Sequence, residues 1–251
     1  MGKVIAVINQ KGGVGKSTTA AALLSGLTLK GYKTLAVDLD AQSNLTFSTG
    51  AATSGKTVLS LLTGEAKAEE AIQRTESGDI IPAHKALSGA DAFITETGKE
   101  YKLREALEPI KAAYDYIILD TPPALGILTV NALTAADSII IPAQADIYSL
   151  QGIEQLAETM KPVKKYCNPA LTIEGILLTR YNPRSILSKE VASLAEQLAG
   201  KLETKVFRTT IREAIAVKEA QISRQSLYSY APKAKATEDY TRLVDELLER
   251  K

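Results

Sequence analysis

With 251 residues, 45% of them hydrophobic and 24% charged, the chain has enough apolar material for one sizeable core and an ordinary globular composition. A formal net charge of +1 gives no overall pull toward nucleic acid, and a single cysteine, Cys167, excludes an internal disulfide and a multi-cysteine metal site. No apolar run approaches the ~20 residues of a membrane-spanning helix, and the chain enters a strand at once rather than a signal peptide, so a cytoplasmic protein is expected.

In chain order, Val4–Ile8 is a short β-branched run of the kind buried on both faces of a parallel sheet, and the glycine-rich stretch Asn9–Gly15 follows it. Ser17–Leu29 has helix-forming composition, with Gly31 placed to end it. Thr34–Val37 is a second buried strand ending at Asp38, which completes a βαβ unit. Residues 41–60 are rich in Ser, Thr, Gly and Ala and predict a loop region, closed by a short helix at Val58–Leu62. Asp79–Ile81 predicts a strand stopped by Pro82, residues 83–99 are weakly patterned, and Tyr101–Ala113 predicts a helix. Tyr116–Leu119 is a buried strand ending in Asp120. Then come a helix at Thr129–Ala136, a strand at Ser138–Ile141, a helix at Leu150–Lys165, a strand at Leu171–Leu178, a helix at Ser185–Leu198 and a short strand at Lys205–Phe207. A closing helix, Thr237–Leu248, sets Tyr240, Leu243, Val244, Leu247 and Leu248 on one face and Glu238, Asp239, Asp245, Glu246 and Glu249 on the polar side. Strands and helices alternate throughout. That pattern predicts one α/β domain over 1–251, a doubly wound, mostly parallel sheet with helices on both faces.

The chemistry begins at Lys11-Gly12-Gly13-Val14-Gly15-Lys16-Ser17-Thr18. A strand precedes this segment and a helix follows, the setting of a phosphate-binding loop. Glycines let backbone N–H groups converge on a phosphate, and the following helix points its positive end at the anion. Lys16 is placed to reach the β- and γ-phosphates of a nucleotide, and the Ser17 hydroxyl to ligate Mg²⁺. The fit to the ordinary P-loop is imperfect: the first glycine position is Gln10, and a second lysine, Lys11, stands near the loop's start. Two carboxylate groups lie at strand ends, where ligands of open α/β sheets gather. Asp38 and Asp40, in Val37-Asp38-Leu39-Asp40-Ala41-Gln42, are two apart and can point the same way. Asp120, closing an apolar run ahead of Thr121-Pro122-Pro123, is placed like a Walker-B carboxylate that holds Mg²⁺.

The loop with its extra lysine resembles that of the deviant-Walker ATPases, the superfamily of ParA, MinD and the nitrogenase iron protein. The resemblance continues in Asp38-Leu39-Asp40-Ala41-Gln42, with Ala41 where the family has proline, and in Asp120-Thr121-Pro122-Pro123. It also covers Ile141–Gln144, Tyr148–Gly152, Gly175–Asn182, Lys218–Ala220 and Tyr230–Pro232, nearly the whole chain. It implies an ATPase in which Lys11 acts in trans on the partner's nucleotide, Lys16 acts in cis and Asp40 orients the attacking water. Asp38 would support the Mg²⁺ shell held by Ser17 and Asp120, and the Thr179–Asn182 segment would approach the adenine.

One cysteine excludes the iron-protein branch, and an acidic final helix argues against MinD-type docking on anionic lipid. The branch the sequence resembles most is a small ParA-type ATPase without an N-terminal helix-turn-helix domain. The resemblance implies an ATP-dependent homodimer that binds DNA non-specifically, associated with the nucleoid, and a ParB-like activator; a MinD-like positioning ATPase without a DNA role is the alternative. Residues 179–235 support the DNA reading, with 11 Lys/Arg against 5 Asp/Glu, while residues 1–178 have 16 against 19 and residues 236–251 have 3 against 5. Arg184 matches a family position implicated in DNA binding, and Arg212, Lys218, Arg224, Lys233 and Lys235 are further candidates. Where relatives often carry an arginine shortly before Glu-Ala, this chain has Ala216.

Overall fold

Along each central strand, successive side chains enter two different apolar layers, the period-2 alternation of a sheet covered on both faces. In β1 (Lys3–Val7), Val4 and Ala6 join one layer and Ile5 and Val7 the other. The structure, a computed structural model, describes residues 2–249; Met1, Arg250 and Lys251, at the ends of the expected 1–251 domain, lie outside the described residues. β1 runs through the glycine loop into α1 (Lys16–Leu29), which ends at Gly31 with φ 85°. β2 (Thr34–Asp38) follows, then α2 (Asn44–Ser48), α3 (Val58–Leu62) and α4 (Ala68–Ala71). β3 (Gln73–Thr75) and β4 (Gly78–Ile81) pair antiparallel. Two short helices, α5 (Ala90–Phe93) and α6 (Lys102–Leu107), precede β5 (Tyr116–Asp120), α7 (Ile127–Ala135), β6 (Ser138–Gln144), α8 (Ile147–Tyr166), β7 (Thr172–Thr179) and α9 (Ile186–Lys201). The chain closes with α10 (Ile215–Ile222), α11 (Leu227–Tyr230) and α12 (Lys235–Glu249).

The sheet order is β3-β4-β2-β5-β1-β6-β7, parallel everywhere except at β3. The chain leaves β1 toward β2 on one side and later reaches β6 and β7 on the other. The crevice at the end of β1 is therefore the topological switch point, where open α/β sheets bind ligands. One apolar layer lies under α3, α6, α7, α8 and α9, and the other under α1 and α12. Among the described residues, no helix is long and apolar enough to cross a membrane.

The doubly wound architecture agrees with the sequence reading, and several local features differ from it. Residues 41–60 are not all loop: α2 sits inside them, with Leu45 and Thr46 fully buried. The helix expected over Tyr101–Ala113 stops at Leu107 and resumes only as a 3₁₀ turn at Lys111–Ala113, because Pro109 has no N–H to donate and disfavours helical geometry before it. Lys205–Phe207 forms only an isolated bridge from Val206 to Ile176. On α12, Tyr240, Leu243, Val244 and Leu247 are buried as expected, but so are Asp239 and Glu246, which the sequence assigns to the polar side. They face inward because Glu246 accepts the N–H groups of Arg208 and Thr209, and Asp239 accepts the N–H of Arg212.

Candidate nucleotide site

The phosphate loop takes its shape from two glycines in left-handed geometry, Gly13 (φ 76°) and Gly15 (φ 93°), the latter directly ahead of α1. Between them Val14 is buried and anchors the loop. The loop is braced by the far side of the sheet. Thr179, at the end of β7, donates its hydroxyl to the Val14 carbonyl (2.8 Å), and Gln144, at the end of β6, donates Nε2 to the Gly13 carbonyl (2.7 Å). Asn9 is fully buried; its Oδ1 accepts the Lys11 N–H (3.0 Å) while its Nδ2 donates to the Pro142 carbonyl (2.7 Å). Lys16 opens α1 and folds back so that Nζ donates to the Lys11 carbonyl at 3.1 Å. It is only 7% exposed, and burial lowers its pKa while the charges of Asp120 and Asp40 oppose that shift.

Parallel pairing sets Asp38 directly beside Asp120, since the two are register partners on β2 and β5. Both are fully buried. At Asp120, burial, with the neighbouring charge of Asp38, pushes the pKa well up, against the hydrogen bond of the Ser17 hydroxyl and the Lys16 ammonium. A fully buried carboxylate beside a serine and a lysine at a phosphate loop suits a divalent cation that arrives with a nucleotide. Asp38 differs. Its Oδ1 accepts the Asp40 N–H (3.1 Å), and its Oδ2 accepts both the N–H (2.8 Å) and the hydroxyl (2.7 Å) of Thr46. Burial raises the Asp38 pKa to about 6, and the Thr46 bonds hold it from rising further. Asp40 is 8% exposed and its Oδ1 accepts the Gln42 N–H (2.9 Å).

A cleft of about 640 Å³ opens over these groups. Gly12 to Thr18 and Asp40 line it, as do Pro123, Thr179, Ile211, Ala214 and Val217. Asn182, expected near a base, lies outside this lining; its Oδ1 accepts the Arg184 N–H (3.0 Å) in a local turn. Thr179 faces the cleft but spends its hydroxyl on the loop. Lys11 points away from Lys16: its Nζ pairs with Asp146 at 2.6 Å and lies 5.8 Å from the centre of the Tyr148 ring. That pair holds the Asp146 carboxyl below its usual range even though burial alone would raise it.

Comparison with known proteins agrees with this fold. An AAA domain family model matches residues 2–173. The sporulation initiation inhibitor protein Soj of Bacillus subtilis is 40% identical over 98% of both chains. The chromosome partitioning protein ParA of Myxococcus xanthus is 37% identical over 100% of this chain and 89% of its own. The chain belongs to the ParA-type partition ATPases. In structure, it is similar to a Mycobacterium smegmatis protein described as cobyrinic acid a,c-diamide synthase, solved with bound ADP and magnesium (TM-score 0.86, 35% identity, 100% and 95% of the two chains).

In this ParA-type chain the basic candidates are not equivalent. Lys218 is exposed and lines the cleft, with Glu213 at 3.9 Å. Arg224, itself in left-handed geometry (φ 52°), lays its guanidinium over the Phe47 ring at 4.6 Å. Arg184, Lys233 and Lys235 are exposed outside the cleft lining. Arg212 is committed to Asp239, with Nε at 2.6 Å and Nη2 at 2.8 Å. It braces the 208–212 loop against α12, a role that in sequence alone looks the same as a free surface charge. Sequence reasoning also missed Asn9, Thr46 and the bracing contact of Gln144. Each is a polar residue at a strand end or short helix that looks solvated until its distant partner is in place.

Proposed function

We propose that this chain hydrolyses ATP with Mg²⁺ as a single-domain DNA-partition switch. The observation that carries this reading is the fully buried carboxylate of Asp120 beside Ser17 and Lys16 under the phosphate loop. The backbone of Gly12–Gly15 and the N-terminus of α1 cradle the phosphates, and Lys16 adds the cation at the β- and γ-phosphates. Ser17 and Asp120 would hold Mg²⁺, which supplies charge neutralisation at the transferring phosphoryl group. Asp40, at the mouth of the same cleft, orients the attacking water. In the nucleotide-bound homodimer Lys11 leaves Asp146 and reaches the partner's nucleotide. The exposed basic residues of the 179–235 segment, Arg184, Lys218, Arg224, Lys233 and Lys235, then meet DNA phosphates without reading sequence, and a ParB-like protein stimulates hydrolysis and release.

The test is retention on duplexes of unrelated sequence with ATP, with ADP and without nucleotide, alongside steady-state phosphate release. ATP-specific retention is expected. Phosphate release without DNA retention would favour a MinD-like positioning ATPase. Turnover that required a carboxylic acid substrate and an amide donor would instead point to the synthase activity named for the M. smegmatis relative.

A further inference from the structure

We propose that Thr46 is a positioning residue for ATP hydrolysis, and that Asp38 acts with it to fix Asp40 rather than to support the metal; this rests on the reading of Asp40 as the residue that orients water. Asp40 follows β2 by two residues, and Asp38 is its anchor. One Asp38 oxygen holds the Asp40 N–H, and the other takes both donors of Thr46. The Thr46 hydroxyl is used twice: while donating to Asp38 at 2.7 Å it accepts the Ala83 N–H at 2.9 Å. Through this one fully buried hydroxyl, α2 and the chain just beyond β4 are tied to the carboxylate that sets the Asp40 backbone. Both oxygens of Asp38 are thus occupied by protein donors.

A buried, fully satisfied polar network of this kind is rigid, and its members are costly to remove because each lost bond strands a partner away from water. Rigidity matters at Asp40 because orienting a water molecule requires sub-ångström placement, and small displacements there lower turnover far more than affinity. Binding of ATP itself depends on the phosphate loop, and none of the hydrogen bonds that join Asp38, Asp40, Thr46 and Ala83 goes to that loop.

The experiment compares Thr46→Val, which keeps the shape without the hydroxyl, with Thr46→Ser, which keeps the hydroxyl. Turnover is normalised to molecules that bind a fluorescent ATP analogue. Thr46→Val is expected to lower kcat at least about tenfold, roughly the effect of losing one well-placed group. Its nucleotide dissociation constant should stay within about threefold of wild type, and Thr46→Ser should recover most of the turnover. Equal losses in both variants, or wild-type kcat in Thr46→Val, overturn the proposal. Should Thr46→Val not fold, Asp38→Asn decides: a fall in kcat with unchanged Mg²⁺ half-saturation supports positioning, and a raised Mg²⁺ half-saturation with kcat restored at saturating Mg²⁺ overturns it. Absence of ATP turnover in the wild-type protein would remove the hydrolase reading beneath the proposal, a separate failure.

Discussion

Replacing Arg212 with alanine should destabilise the protein, although Arg212 reads from the sequence as a DNA contact. Its guanidinium makes two charge-assisted hydrogen bonds to Asp239, whose side chain is only 2% exposed, and Arg242 bonds the same carboxylate. Hydrogen bonds to a charged group contribute about 1.5–3 kcal/mol each. The Arg212 side chain is 40% exposed, and the Arg212 N–H and Arg242 remain to satisfy Asp239 in the variant, so a net loss of about 1.5–3 kcal/mol is expected. For a chain of this size each kcal/mol lowers Tm by about 2–4 °C, which predicts a fall of about 3–12 °C. The effect has a pH signature. Burial raises the Asp239 pKa, but the Arg212 and Arg242 bonds outweigh it and leave the carboxyl below its usual range. A carboxylate depressed in the folded state stabilises above its unfolded pKa of about 3.9 and loses that contribution as pH falls through the folded value. The Tm gap between wild type and Arg212→Ala should therefore be full near neutral pH and shrink below about pH 4. Differential scanning calorimetry across that range, with Asp239→Asn as the second arm, measures it. Equal Tm for wild type and Arg212→Ala at neutral pH would refute the argument and return Arg212 to the DNA-contact candidates.

Lys16→Ala removes the buried cation of the phosphate cradle, so calorimetric titration should show ATP affinity falling at least about tenfold; undiminished affinity would contradict the loop's assignment. Asp40→Ala should bind ATP, fail to hydrolyse it and accumulate as a dimer by light scattering, whereas Lys11→Ala should remain monomeric with ATP. Arg184→Ala should weaken binding equally on unrelated duplexes and reduce the salt slope by about 0.9 log units per decade, one phosphate contact, with ATP-driven dimerisation intact; salt-insensitive wild-type binding would count against phosphate recognition. Gly26→Ala should destabilise by about 1–3 kcal/mol in urea unfolding, because its new methyl group would lie 2.5 Å from the Tyr228 hydroxyl and 2.8 Å from Val244.

Features that depend on local pattern could be read from the residues in order along the chain. The phosphate loop was legible because glycine spacing, the lysine and the helix that follows are contiguous in the chain. The buried strands were legible because both of their faces are apolar, and Asp40 and Asp120 because each stands at the end of such a strand. What each polar side chain bonds emerges only in the fold, since those partners lie far apart in sequence. Thr179 donates to the loop carbonyl of Val14, Lys11 pairs with Asp146, and Thr46 joins Asp38 to Ala83. Asp239 and Glu246 illustrate the reason most plainly. Helical periodicity assigns them to the solvent side of α12, and only the 208–212 loop, crossing over them with backbone N–H groups and an arginine that donate to them, makes burial of two carboxylates favourable.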